Sequence, residues 1–486
     1  VPDTLRDELI EWIRGADRRD IDADGNTTEA RRQIGDPLHA RPVAVEYGSS
    51  AEDPDTVVFV STNDGFLHAV DAQTGVEVWS YVPGRLLARQ YELYLDQQST
   101  VRRYGLDGEI RLFRGTIDGN ARKVLVFGMG RGGDAVFAID VTVRNAPRLL
   151  WQIDSSTAGF ASLGRVWAAP PVVRMDIGGQ RPVVVLSGGY DDSQDNRGYR
   201  TDNVGNALFF VDLETGAKLW SAGPDGHDLD LPSMQHSIPA APRVLDVSGD
   251  GLADRLYVGD VGGRLWRFDV INGNSAASLV EGGVLASLGA ADLGASPPAS
   301  EIRRFYVTPD AVLVDCIDGT FLALNIGSGY LGHPLDTDVE DAFFSVRDPN
   351  LFAPIATAEY PEPITAGELL DITDDPTAEV PVDARGWRLR MVEDAGEKIL
   401  RPAITFDNTT FFNSFAPSAQ VSACAGGLGV NRGYVVDACN GNPVNNLDGS
   451  TEPGPLGTSD RFRQLSQTGI APEPSLLLLD MGGRDA

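Results

Sequence analysis

What most constrains the fold of this chain is a phrase of strand, tight turn and strand that recurs along it and closes each time on Asp or Asn. Residues 57–60, the Asn63-Asp64-Gly65 turn, residues 66–71, the Thr74-Gly75 turn and residues 76–79 state it in full. Glycine stands where a hairpin turn needs a positive φ, and the flanking runs are apolar or alternate with period two. The phrase returns at residues 125–130 and 135–140 before Trp151, and at 208–212 before Thr215-Gly216 and Trp220. It returns at 257–260 and 265–269 around Gly262-Gly263, at 322–325 before Gly327, and at 434–437 before Asn440-Gly441.

Taking the closing residue as the end of each unit's second strand sets markers at Asp71, Asp140, Asp212, Asp269, Asn325 and Asp437. The spacings are 69, 72, 57, 56 and 112 residues, and the last holds two units, with residues 392–396 as a degenerate marker. That makes about seven units, each long enough for a four-stranded antiparallel sheet. One such sheet alone has two open edges and no second layer; arranged radially, the sheets bury each other's faces. The expectation is an all-β, seven-bladed propeller of four-stranded antiparallel blades, with six or eight blades as alternatives. Trp79, Trp151, Trp220 and Trp266 recur at one phase, as fillers between blades would. Helical patterning is confined to the first dozen residues, where Leu5, Leu9, Ile10 and Ile13 share a face. Residues 1–45 are expected to form a helical lead-in with an acidic loop, and residues 46–486 the propeller, closed by a strand from residues 476–479.

Charge excludes whole classes of partner. Asp and Glu number 70 against 40 Lys and Arg, a net −30 that repels nucleic acid and anionic membrane surfaces. No apolar run of helix-spanning length occurs, so no transmembrane segment is expected. No basic start followed by an apolar leader is present either, and the chain is expected to be a piece of a longer one. Of the three cysteines, Cys424 and Cys439 flank a Gly-rich turn between two strand-like runs. A disulfide between them would suit an exported protein, while Cys316 reads as a small buried residue.

The most specific chemical signal is residues 246–254, Asp-Val-Ser-Gly-Asp-Gly-Leu-Ala-Asp. Asp246, Ser248, Asp250 and Asp254 fall at positions 1, 3, 5 and 9, with Gly251 at 6 and the Leu252 carbonyl at 7. Alternate spacing lets a tight loop turn its oxygens inward, and hard oxygen ligands in irregular number suit Ca²⁺ over Mg²⁺ or Zn²⁺. Position 12 is Tyr257, so no bidentate Glu closes the shell as in an EF-hand, and Asp254 must do so. A second candidate loop holds Asp20, Asp22, Asp24 and Asn26, with Glu29 as closing ligand. A plain Asp-Gly turn on an acidic surface is the alternative for both.

Several stretches together resemble the C-terminal half of PilY-type proteins, type IV pilus biogenesis factors and tip adhesins. They are Gly35-Asp36-Pro37-Leu38-His39-Ala40-Arg41-Pro42-Val43, Asn63-Asp64-Gly65-Phe66-Leu67-His68-Ala69 and Gly128-Met129-Gly130-Arg131-Gly132-Gly133. Tyr257-Val258-Gly259-Asp260 with Leu265-Trp266-Arg267-Phe268-Asp269, and Gly327-Ser328-Gly329-Tyr330 with His333-Pro334-Leu335-Asp336, complete the set. The resemblance implies a modified seven-bladed propeller that is exported and displayed on the outer membrane and at the pilus tip. It implies pilin or minor pilins as partners, with host-cell or abiotic surfaces beside them. It also implies that Ca²⁺ at one blade loop, here Asp246 to Asp254, controls pilus extension against retraction. An Arg-Gly-Asp tripeptide found in some members is absent, since only Arg14-Gly15-Ala16-Asp17 and Arg131-Gly132-Gly133-Asp134 approach it.

An enzyme is not expected. The Ala69 to Trp79 stretch also resembles the repeat of quinoprotein dehydrogenases, propellers that use pyrroloquinoline quinone with Ca²⁺. Their vicinal cysteines and haem motif have no counterpart here, and His39, His68, His227, His236 and His333 are scattered. A purely structural interaction propeller is the third reading.

Overall fold

The computed structural model describes residues 3–31, 33–48, 50, 54–97, 101–317, 319–351, 353–418, 429–450 and 454–477. After a short helix α1 (Asp3–Ile13), the chain builds sheets in sequence order. The first contains β1 (Val43–Glu46), β2 (Thr56–Ser61), β3 (Leu67–Asp71) and β4 (Glu77–Tyr81). A second helix, α2 (Leu87–Leu95), leads to β5 (Ile110–Ile117), β6 (Asn120–Gly128), β7 (Val136–Asp140) and β8 (Arg148–Ile153). The third holds β9 (Val172–Asp176), β10 (Gln180–Ser187), β11 (Leu208–Asp212), β12 (Lys218–Gly223) and a short parallel strand, β13 (Leu229–Asp230).

The fourth is β14 (Arg243–Leu245), β15 (Arg255–Gly259), β16 (Arg264–Val270) and β17 (Val280–Ser287). The fifth is β18 (Asp310–Cys316), β19 (Gly319–Gly327), β20 (Ala342–Asp348) and β23 (Gly386–Arg390). Between β20 and β23 the chain makes an excursion that adds β21 (Ile364–Thr365) beside β17 and β22 (Leu370–Asp371) beside β23, both parallel. The sixth is β24 (Ile404–Phe406), β25 (Thr409–Ala416), β26 (Val430–Asp437) and β27 (Phe462–Leu465).

Each sheet packs its faces on the next. Val183 and Val185 of β10 enter a core with Leu256, Val258 and Trp266 of the fourth sheet, while Val184 and Leu186 face Val124, Val126 and Trp151 of the second. Strands covered on both faces need apolar residues at every position, which explains their unbroken apolar runs. Five such cores link the six sheets in order. Among the described residues an ion pair spans from the sixth sheet toward the first: Arg41, just before β1, meets Glu473, beyond β27, and also Glu109, just before β5. Leu476 and Leu477 are exposed and lie in no strand, and residues 478 and 479 lie outside the described set.

The propeller is as expected, but the described residues form six sheets, not seven. In the fifth unit the Asn325 marker falls one strand early. In the other sheets the closing Asp lies at or next to the end of the third strand, since a first strand without a sequence signature precedes the two that carry one. In the fifth, Asn325 lies on β19, the second strand, and Asp348 ends the third. With Asp348 as marker the last two spacings become 79 and 89 residues, and no further unit is needed. Residues 392–396 belong to the connection into the sixth sheet, where Asp394 pairs with Arg432 at 2.5 Å.

Two smaller expectations are corrected. Trp266 lies on a third strand; the tryptophan that shares the fourth-strand phase of Trp79, Trp151 and Trp220 is Trp387. Helix also extends beyond the first dozen residues, since α2 covers the end of the first sheet. Nine residues with one buried anchor, Gln90, whose amide donates to the Asp64 carbonyl, are too short to announce themselves by periodicity. On α1 the buried residues are Leu9 and Trp12, the latter edge-on to Tyr94 of α2, and Ile10 is exposed.

Candidate metal centre

Alternating antiparallel strands put the loops of every sheet on two faces. First-to-second and third-to-fourth connections share one face, here called lower, and second-to-third connections share the upper. The 246–254 loop joins β14 to β15 and so lies on the lower face. Buried Leu252 and Ala253 anchor it, while Asp246, Ser248 and Asp250 are exposed and Asp254 is half-buried. Gly249 and Gly251, at φ of 78° and 85°, supply the left-handed backbone that curls it.

The carboxylates hold the loop through its own amides. Asp246 Oδ1 accepts from the Gly249 and Asp250 N–H groups at 2.6 and 3.2 Å, and Oδ2 accepts from Gly251 at 2.8 Å. Asp254 Oδ2 accepts from Val247 and Ser248 at 2.9 and 2.7 Å, and Asp250 Oδ1 accepts from Leu252 at 2.8 Å. The Gly251, Gly249 and Asp250 amides hold the Asp246 carboxyl below the usual carboxylate range. With two lone-pair sites per carboxylate oxygen, Asp246 Oδ1 and Asp254 Oδ2 are filled by two amides each, while Asp246 Oδ2 and Asp250 Oδ1, with one amide each, keep capacity for a cation. The donor set is all oxygen and three of its members are acidic, which fits a hard divalent ion. The three carboxylates do not, however, converge as a group, whereas those of the N-terminal loop do.

In that loop, carboxylate oxygens of Asp20, Asp22 and Asp24 lie within 4.8 Å of one another, and so do those of Asp17, Asp22 and Glu29. Asp20 Oδ1 accepts from Gly25, and Asp24 Oδ1 from Asn26. Asn26 turns away, its oxygen accepting from the Thr28 amide and hydroxyl. Asp17 was not singled out by the alternating pattern, because it stands three residues before Asp20. It is buried, its Oδ2 accepts from Ile21, and its Oδ1 has no hydrogen-bond partner among the described residues. Arg19 pairs with Asp96 at the end of α2, which places this loop on the upper side of the ring.

The expected Cys424–Cys439 bridge is replaced by Cys316–Cys439, with Cα atoms 5.7 Å apart; Cys424 lies outside the described residues. Sequence proximity favoured the first pairing, but the packing of the fifth sheet on the sixth brings the end of β18 to the turn after β26. Val314, Ala323 and Ala438 form a small core around the bond.

Comparison with known proteins decides the family. The PilY1 beta-propeller domain model matches residues 40–282, half of the chain. The chain belongs to the PilY1 β-propeller family. This is a family of pilus biogenesis factors, not of enzymes. A type IV pilus biogenesis factor PilY1 of Pseudomonas aeruginosa (strain UCBPP-PA14) is 29% identical over 55% of the chain and 23% of its own length. A PilY1 homolog of Xylella fastidiosa (strain Temecula1) is 26% identical over 89% of the chain and 31% of its own length. The chain thus spans under a third of these relatives. The crystal structure of the Pseudomonas aeruginosa PilY1 C-terminal domain superposes with a TM-score of 0.59. At 20% identity, covering 85% of this chain and 86% of that one, the likeness concerns the fold. No helix among the described residues is long and apolar enough to cross a membrane.

Proposed function

We propose that this propeller serves in type IV pilus biogenesis and surface attachment, and that Ca²⁺ at the 246–254 loop regulates pilus extension against retraction. The observation that carries the metal reading is the loop itself, three carboxylates and a hydroxyl curled by two left-handed glycines. Bound metal would cancel the mutual repulsion of Asp246, Asp250 and Asp254 and fix the lower rim between β14 and β15. The N-terminal loop, with Asp17 added to Asp20, Asp22, Asp24 and Glu29, is the second cation site of this reading. Pilin or minor pilins are the proposed partners, and the cell surface and pilus tip the proposed location. The Cys316–Cys439 bond supports an oxidising, exported environment.

One observation favours the rival reading of a purely structural turn: the loop's carboxylates are already bonded to its own amides. Asp250→Asn separates the two. Its amide oxygen still accepts from Leu252 while its charge is gone, so the turn survives and the cation loses a ligand. Calorimetry should show calcium affinity at this loop falling about tenfold or more, and a retraction assay should show the same variant failing to hold pili extended. Unchanged affinity with unchanged pili would leave only the structural turn.

A further inference from the structure

On the upper face, away from the 246–254 loop, lies a cavity of about 560 Å³ whose wall is cationic. Arg85, Arg89, Arg102, Arg103, Arg131 and Arg165 line it, against the carboxylates of Glu92, Asp192 and Asp195. This excess of cations stands out on a chain of net charge −30. Three sheets contribute: α2 and its lead-in, the connection into β5, the β6–β7 loop, the connection from β8 to β9 and the β10–β11 loop.

Five of the arginines find acids of the chain itself. Arg85 meets Asp134 at 3.0 Å and Arg131 meets Asp195 at 3.7 Å; Arg102 pairs with Asp36, Arg103 with Glu92 and Arg165 with Asp192. Arg89 has no such acid among the described residues. It donates to the Arg103 and Tyr104 carbonyls, and its buried Nε has no partner. Leu86 and Ala88 bring the start of α2 to the wall, with neither a side-chain cap nor an acid in its first turn, so the helix adds positive potential there. Behind the wall, the Arg131 guanidinium lies 4.6 Å from the Trp167 ring, which packs tilted on Tyr190 and stacked on Tyr306.

We infer that this cavity docks a carboxylate-rich segment of a partner protein. Guanidinium forks match carboxylates geometrically, and the wall already practises that pairing with its own acids. A volume of this size takes several side chains. The net negative charge of the chain repels such a segment in general, so a wall lined by six arginines stands apart as a place that attracts it. A nucleotide fits less well, because the aromatic ring in the wall, Tyr104, is already engaged by His39 and by Arg102.

Fluorescence anisotropy with a labelled hexaglutamate peptide tests this directly. Saturable binding is expected, weakening about tenfold or more as salt rises from roughly 50 to 300 mM. Arg102 and Arg103 are 49% and 61% exposed, so the double reversal R102E/R103E should fold and lose about tenfold in affinity. Arg103→Gln, which removes one charge without reversing it, should lose a smaller part. R148E, a single charge reversal at a lower-face residue 62% exposed, should bind as wild type. A chelator should change nothing, which keeps this result apart from the calcium reading. Absence of saturable binding, or a folded R102E/R103E that binds as wild type, overturns the proposal. Inorganic phosphate displacing the peptide at equal concentration would mark a small-anion site and overturn it as well.

Discussion

Single residues explain why the repeat can be read at all. The closing Asp is the cap of a turn: Asp71, Asp140, Asp212, Asp348 and Asp437 each accept the amide two residues on, at 2.8–3.1 Å. The tryptophan marks the neighbouring joint. Trp151 Nε1 donates to the Leu213 carbonyl of the next sheet, Trp79 to Arg144 and Trp387 to Ala438. Gly216 closes the socket: its φ is 74°, and a Cβ there would sit 2.6 Å from Trp151 Cγ. Gly216→Ala should therefore cost about 1–3 kcal/mol in urea unfolding, from backbone strain and steric overlap together. Asp246 makes a second prediction. Its carboxyl is held below the usual range, so its ionised, loop-holding form persists through that range and is lost only as pH falls below it. Calcium affinity measured by calorimetry should hold level from neutral pH down into the usual carboxylate range and fall only below it.

Between elements, the joints differ in chemistry. The fourth and fifth sheets are tied by Arg267, fully buried, which bonds Asp269 on its own strand and Asp348 at the end of β20, both at 2.9–3.0 Å. It also donates to the carbonyls of Asn350 and Ala353, pinning the excursion that carries β21 and β22. Arg267→Ala leaves buried Asp348 without its cation, while Asp269 keeps Arg255 at 2.6 Å, and should cost about 3–5 kcal/mol, read as a lowered denaturation midpoint. The fifth and sixth sheets are tied covalently by Cys316–Cys439, which closes a separation of 123 residues. Cys316→Ser should lower stability by about 2–5 kcal/mol, and reductant should do the same to wild type but not to the variant. Neither tie is legible beforehand, because each joins residues far apart along the chain.

Across the whole molecule, the candidate sites are divided by face. The 246–254 loop and the disulfide lie below, while α1, α2, the N-terminal acidic loop and the arginine cavity lie above. Near the ring's last joints sits a pH-sensitive group: burial pushes Asp341 up to about 6, with the Ser328 hydroxyl at 2.7 Å and Lys398 pulling it back. A carboxyl raised in the folded state favours folding below its ordinary pKa, and that contribution is lost as pH rises through about 6. The melting temperature of Asp341→Asn, which does not titrate, should therefore gain on wild type from pH 4 to pH 7. A constant difference would show that Asp341 does not titrate in this way.

Local patterning was enough to specify the sheets. Period-two runs, glycine turns and the capping Asp act within a few residues, so the propeller class, most strands and the tight turns of both acidic loops are written in order along the chain. Three-dimensional packing decided the rest. The unit count turned on which strand Asp348 ends, and the disulfide on which strand ends meet. Likewise, the convergence of Asp17 with Asp22 and Glu29, and of six arginines around one cavity, depends on how separate segments are brought together. Contacts between distant residues are paid for by burial across whole sheets, and no short stretch of sequence carries that information.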